Sequence, residues 1–154
     1  MKHTTIFSIS TIIISTLLFS SCNKGKNETK ISSYSGTQSH NMGQDCMACH
    51  VKNGKGREGG WFNVAGTVYD NTGIATFANA TVKLYTGPGA TGTLKYTIQV
   101  DSKGNFYTTE AIDFGAGLYP VIEGVNGFNH MSSSITTGNC ISCHGSSTGK
   151  LWTE

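Results

Sequence analysis

Proline and charged residues are both scarce in this sequence. Two prolines stand among 154 residues, against 20 glycines, and Asp, Glu, Lys and Arg together make up 13% of the chain. With so few charges and a formal net charge of +2, the chain lacks the basic surface of a nucleic-acid-binding protein, and we expect no nucleic-acid partner. Abundant glycine with little charge favours a turn-rich β protein over a helical one.

Long hydrophobic stretches are also lacking, apart from one near the N-terminus. Residues 6–19 are uncharged, but the stretch is shorter than the ~20 apolar residues of a membrane-spanning helix. We interpret residues 1–21 as an export signal, because it ends in small residues followed by Cys22. This ending resembles the signal of bacterial lipoproteins. The resemblance implies cleavage before Cys22, a lipid on that cysteine, and a membrane-anchored location in the bacterial cell envelope, facing the periplasm or the cell surface. The alternative is an ordinary secretory signal that leaves Cys22 as a free thiol.

Apolar side chains are nearly absent from the segment that follows. Residues 22–45 are dominated by Ser, Thr, Asn, Gly and Lys. Such a composition offers little apolar surface to bury, so it predicts a flexible polar tether.

The five cysteines include two pairs of the same kind. In each pair the cysteines are separated by two residues, and a histidine follows at once. This C-x-x-C-H pattern is the attachment motif for haem c. Two thiols at this spacing can form thioethers with one haem, and the adjacent imidazole can bind its iron. The two motifs consist of Cys46, Cys49 and His50, and of Cys140, Cys143 and His144.

Two such motifs resemble those of c-type cytochromes. The resemblance implies two haem c groups, electron transfer, and redox partner proteins. Export agrees with it, because haem c is attached outside the cytoplasm in that family. A single zinc site made by all four cysteines is one alternative, although the pairs are far apart in the sequence. Local disulfides, or a thioredoxin-like redox motif, are another, although no βαβ pattern surrounds either pair.

The second axial ligand of each iron has several candidates. Beyond residue 21 the chain has two further histidines, His40 and His130, and each precedes a haem motif. Four histidines are the number that two bis-histidine haems require. Met42 and Met131 lie close to these histidines, so methionine ligation is an alternative, as is an open iron position.

Between the motifs, short stretches of alternating apolar residues are separated by glycine-rich turns. This pattern over residues 61–135 predicts a small antiparallel β-sandwich in a mainly-β fold. Its segments 64–70, 80–84, 101–106 and 117–121 resemble the carboxypeptidase regulatory-like family, which has a transthyretin-like sandwich. That resemblance implies a non-catalytic module. The sandwich would be flanked by two short haem-binding segments, residues 46–60 and 136–154.

These patterns together predict an electron carrier rather than a catalyst. No paired acid and base or activated nucleophile stands out in the sequence. A haem enzyme would instead need an open iron site. The third hypothesis is a binding module of the cell envelope that contains no haem and is held together by zinc or by disulfides.

Overall fold

The computed structural model describes residues 27–154, so the predicted export signal and Cys22 lie outside the described residues. Strands make up most of the regular secondary structure of the described chain, with one helical turn, α1 (Cys46–Cys49), and 3-10 turns at Arg57–Gly59 and Cys140–Ser142. The strands are β1 (Val64–Tyr69), β2 (Thr81–Tyr85), β3 (Leu94–Gln99), β4 (Asn105–Thr108), β5 (Tyr119–Glu123), β6 (Phe128–His130), β7 (Gly138–Asn139) and β8 (Leu151–Trp152).

Two sheets form a sandwich around one apolar core. One sheet has the order β4-β1-β7, with β8 also paired to β1, and the other has the order β3-β2-β5-β6. Pairings are antiparallel except those of β7 and β8, which run parallel to β1. The core holds buried Val, Leu, Ile and Phe side chains from strands of both sheets. The predicted mainly-β fold with antiparallel-rich sheets is therefore confirmed.

The central strand β1 is covered on both faces. All six of its residues are buried, although successive side chains of a strand point to opposite faces. Val64 and Val68 belong to the core between the sheets. On the other face, the Thr67 hydroxyl accepts a hydrogen bond from the backbone N–H of Gly43, at 2.9 Å. The segment before α1 therefore covers the outer face of β1.

Residues 27–45 are bound to the sandwich, which corrects the prediction of a flexible tether for this part of 22–45. The backbone N–H of Ser32 donates to the carbonyl of Tyr107 at 3.0 Å, and that of Thr109 donates to the carbonyl of Lys30 at 2.8 Å. The segment thus lies along β4 through backbone hydrogen bonds. These bonds need no apolar side chains, and composition therefore did not reveal them.

The segment that follows residue 135 is part of the sandwich rather than an appendage beside it. It supplies β7 and β8, both of which pair with β1. Strand β6, which precedes it, ends at His130. Within residues 27–154, no helix has the length and apolar character needed to cross a membrane.

Candidate functional site

The first C-x-x-C-H motif opens onto a large cavity. This cavity, which we call site 1, has a volume of about 620 Å³, within the ~300–1,000 Å³ typical of ligand sites. Cys46, Cys49 and His50 line it together with His40. The predicted attachment thiols, the proximal histidine and one candidate distal histidine therefore share a single cavity of cofactor size.

The helical turn α1 presents the two thiols of site 1. Asp45 caps it, since its carboxylate accepts hydrogen bonds from the backbone N–H groups of Met47 at 3.0 Å and Ala48 at 3.2 Å. The turn ends at His50, whose backbone N–H donates a hydrogen bond to the carbonyl of Cys46 at 2.9 Å. Residues three apart on a helix lie on one face, so Cys46 and Cys49 point to the same side.

One nitrogen of the His50 imidazole is engaged in a hydrogen bond with the backbone. Its Nδ1 lies 3.1 Å from the carbonyl of Gly60, and because a carbonyl can only accept, Nδ1 carries the proton. Nε2 is then the basic nitrogen, the state in which histidine binds a metal. The ring stacks on Phe62 at a centroid distance of 4.1 Å. Gly59 also lies against it, because a Cβ there would stand 2.5 Å from His50 Cε1.

His40 faces His50 from the segment that covers β1. The centroids of the two rings are 5.8 Å apart, with an angle of 41° between the planes. A metal–imidazole bond is about 2.0 Å long, so two imidazoles bound to opposite sides of one ion have ring centres about 6 Å apart. The centroid separation of the two rings is close to this value.

The backbone around His40 is fixed by polar side chains of β4 and its turn. Asn105 Nδ2 donates to the carbonyl of His40 at 3.2 Å and to Ser39 Oγ at 3.0 Å. Lys103 Nζ donates to the carbonyl of Ser39 at 2.6 Å. Asn105 is itself buried and accepts a hydrogen bond from Thr67 Oγ1 at 2.6 Å. The segment that carries His40 is therefore anchored to the sheet.

The second motif lies beside two smaller cavities and shares with the first motif a hydrogen bond from the histidine Nδ1 to a backbone carbonyl. His144 Nδ1 lies 2.8 Å from the carbonyl of Gly149, which again places the proton on Nδ1 and leaves Nε2 basic. The thiols of Cys140 and Cys143, with His144, line an apolar cavity of about 100 Å³ between the sheets. His144 also lines an adjoining cavity of about 160 Å³. We call these two cavities site 2.

His130 is the partner that the fold brings to His144. Both line the larger cavity of site 2, together with Met131 and the exposed Trp152. At site 1, Met42 is 46% exposed and does not line the cavity. The sequence left open which histidine belongs to which motif. In the structure, His40 lines the cavity of the first motif and His130 lines a cavity together with His144.

No disulfide joins Cys46, Cys49, Cys140 or Cys143, and no cluster of three or more His, Cys, Asp or Glu side chains within residues 27–154 has a metal-binding arrangement. Burial raises the pKa of the Cys46 thiol above its ordinary value. Burial, with the electrostatic influence of the nearby Cys46 as a smaller cause, raises the pKa of Cys140 to about 12. Burial therefore makes the first cysteine of each motif harder to ionise than an exposed thiol.

Some residues of the sites were not found from sequence. The backbone carbonyls of Gly60 and Gly149 orient the two histidines, but no side-chain pattern in the sequence predicts a backbone acceptor. Asn105 follows a turn glycine and has no sequence pattern that indicates contact with His40. The glycine run at residues 54–60 is the one usable signal, because glycines beside a predicted ligand permit the close approach seen at His50.

No protein-family model matches the sequence, and searches of curated proteins and of solved structures gave no significant match.

Proposed function

We propose that this protein is a dihaem c-type cytochrome that transfers electrons at the cell envelope. The observation that carries the proposal is the facing pair at site 1. His50, whose Nδ1 proton is bound by a backbone carbonyl, faces His40 at 5.8 Å across a cavity that two cysteines also line. Site 2 supports it with the same set of residue types in His144, His130 and the second cysteine pair.

Each residue has a defined role in this proposal. Cys46 and Cys49 would hold one haem by thioethers at site 1, and Cys140 and Cys143 would hold the other at site 2. His50 and His144 would be the proximal ligands, oriented through their Nδ1 hydrogen bonds. His40 and His130 would be the distal ligands. The haem groups supply the one-electron chemistry, while the chain supplies ligation, orientation and burial.

The histidine pairs favour electron transfer over catalysis at the iron. A haem enzyme needs a free coordination position for its substrate, whereas two histidines occupy both axial positions. The arrangement disfavours one shared zinc site, since the two cysteine pairs open onto different cavities. Redox partner proteins are then the proposed partners, and a lipid on Cys22 the proposed attachment to the membrane.

Haem content tests the proposal directly. The protein is expressed together with the c-type maturation machinery, and covalent haem is measured by the pyridine haemochrome method against protein concentration. We expect two haems per chain, and one haem in each of two variants, Cys46→Ala/Cys49→Ala and Cys140→Ala/Cys143→Ala. A chain without covalent haem, beside a control cytochrome matured in the same cells, would overturn the proposal.

The membrane anchor needs a separate measurement. Mass spectrometry of the N-terminal peptide should show a lipid on Cys22 and no residue before it. The variant Cys22→Ser should leave the membrane fraction while retaining both haems. An unmodified Cys22 thiol would instead support the ordinary secretory signal.

A further inference from the structure

Three aromatic rings form a continuous stack beside site 1. The His50 imidazole lies on the Phe62 ring, with 4.1 Å between the centroids and 7° between the planes. Phe62 stacks in turn on Tyr107, at a centroid distance of 4.6 Å and an interplanar angle of 18°. All three side chains line the cavity of site 1. The stack therefore extends from the proposed proximal ligand to a tyrosine of β4.

The tyrosine end of the stack is attached to the sheet. Tyr107 follows Phe106, whose side chain belongs to the core, so the Tyr107 side chain is on the outer face of β4. Its backbone N–H donates to Ser32 Oγ at 3.0 Å, and its carbonyl accepts from the N–H of Ser32 at 3.0 Å. On its other side, Tyr107 is paired with Ala65 of β1. Neighbouring chain segments therefore hold the backbone of Tyr107 on both sides.

The histidine end of the stack is held by a single hydrogen bond and by ring contacts. Nδ1 of His50 lies 3.1 Å from the carbonyl oxygen of Gly60. One hydrogen bond sets the direction of Nδ1, whereas a stacked ring also sets the plane of the imidazole. The Phe62 ring supplies this second restraint, and its own position depends on the ring of Tyr107.

We propose that Tyr107 is a positioning residue for site 1, which acts through Phe62 to fix the plane of the His50 imidazole. The inference rests on the proposed function, in which His50 is a ligand, and it adds a residue that acts at a distance from that ligand. Without the Tyr107 ring, Phe62 can shift toward the vacated space, and the imidazole loses the surface that fixes its plane. Nε2 of His50 then points in a wider range of directions.

Solvent exchange of the His50 Nδ1 proton measures how firmly the imidazole is held. The full chain is labelled with isotopic histidine, and exchange is followed by nuclear magnetic resonance in the reduced, diamagnetic state. We expect exchange in Tyr107→Leu to be roughly two- to tenfold faster, the factor that corresponds to the loss of one stacked aromatic pair. Tyr107→Phe keeps the ring and removes only the hydroxyl, so it should retain the parent rate.

Two controls separate positioning from a general loss of stability. The Nδ1 proton of His144, which is bound by the carbonyl of Gly149, should exchange at the same rate in every variant. Tyr119→Leu removes a half-buried tyrosine from β5 in the other sheet, and it should leave the His50 rate unchanged. An unchanged His50 rate in Y107L, or equal acceleration at both histidines, would overturn the proposal.

Electron paramagnetic resonance gives a second readout, because the g values of a low-spin ferric haem depend on the planes of its axial imidazoles. The background is Cys140→Ala/Cys143→Ala, which keeps only the first motif. In this background Y107L should shift the g values and Y107F should not, and identical spectra would contradict the proposal. A chain without covalent haem would show that the proposed function has failed. Proton exchange at His50 in that chain would still decide whether Tyr107 positions the ring.

Discussion

Asn105 is hydrogen-bonded to the backbone of His40, with 3.2 Å between its Nδ2 and the His40 carbonyl oxygen. Because Asn105 is buried and also bonds to Thr67 and Ser39, it joins the proposed distal ligand to the sheet. Ligand geometry at site 1 therefore depends on a residue that does not bind the haem.

The variant Asn105→Leu should loosen His40 without removing it. Leucine has similar volume but leaves the hydrogen-bonding groups of its neighbours unpaired, at a cost of about 1–3 kcal/mol in the free energy of unfolding. We expect part of the haem at site 1 to become high-spin in its absorption spectrum. The control Asn63→Leu removes a 3.0 Å bond to the Thr109 carbonyl and should leave the spin state unchanged. A wholly low-spin N105L protein would show that His40 needs no such support.

Removal of each distal histidine should open one iron site. In His40→Ala, we expect one of the two haems to become five-coordinate and to bind carbon monoxide after reduction, while the other remains low-spin. His130→Ala should open the second haem in the same way. Carbon monoxide titration of the reduced proteins measures both effects.

The methionines provide the matched controls for this experiment. Met42→Leu and Met131→Leu should leave both haems six-coordinate, because leucine keeps the volume and removes only the thioether sulfur. Loss of low-spin character in M131L, with H130A unaffected, would assign the second distal ligand to Met131 instead.

Gly66 marks a position where β1 has no room for a side chain. A Cβ there would lie 2.6 Å from Phe106 Cζ and 3.2 Å from Cys140 Cβ. Gly66→Ala should therefore destabilise the protein by about 1–3 kcal/mol, the usual cost of overpacking. Gly149→Ala is the control, since a Cβ at Gly149 meets nothing within 4 Å. Urea unfolding of both variants measures the difference, and equal stabilities would contradict the close packing.

Cys140 should make the haem-free protein less stable in alkali. Burial raises its pKa from 9.0 to about 12, so above pH 9.0 the unfolded chain releases a proton that the folded chain retains. Stability is complete below the lower value and falls as pH rises toward the higher one, by up to about 1.4 kcal/mol per pH unit for one thiol. Unfolding of haem-free protein below and above pH 9.0 measures this slope.

The variant Cys140→Ala, again without haem, should show a shallower alkaline slope than the parent chain. The protein with haem attached should also lack the Cys140 contribution, because a thioether does not ionise. An unchanged slope in C140A would mean that other groups account for the alkaline loss.

Much of the architecture could be predicted because alternation and turn residues are local signals. The turn at residues 101–105 is an example, since Asp101 Oδ1 accepts hydrogen bonds from the backbone N–H groups of Lys103 and Asn105, as the aspartate of such a turn does. The cysteine motifs were equally local. The partner of each histidine could not be predicted, because it depends on how residues distant in the chain pack together. The position of residues 27–45 was hidden for a related reason, since strand edges bind backbone of almost any composition.

Asn27 shortens the distance over which the domain can move from its proposed anchor. Its side-chain amide donates to the carbonyl of Trp61 at 2.7 Å, while its Oδ1 accepts from the N–H of the same residue at 3.0 Å. The chain is thus fixed to the domain from Asn27 onward, and the five peptide units between Cys22 and Asn27 extend over at most about 18 Å. A lipid on Cys22 would then keep Asn27, and the sandwich bound to it, within about 18 Å of the membrane surface. The proposed redox partners would then have to bind the sandwich close to the membrane surface.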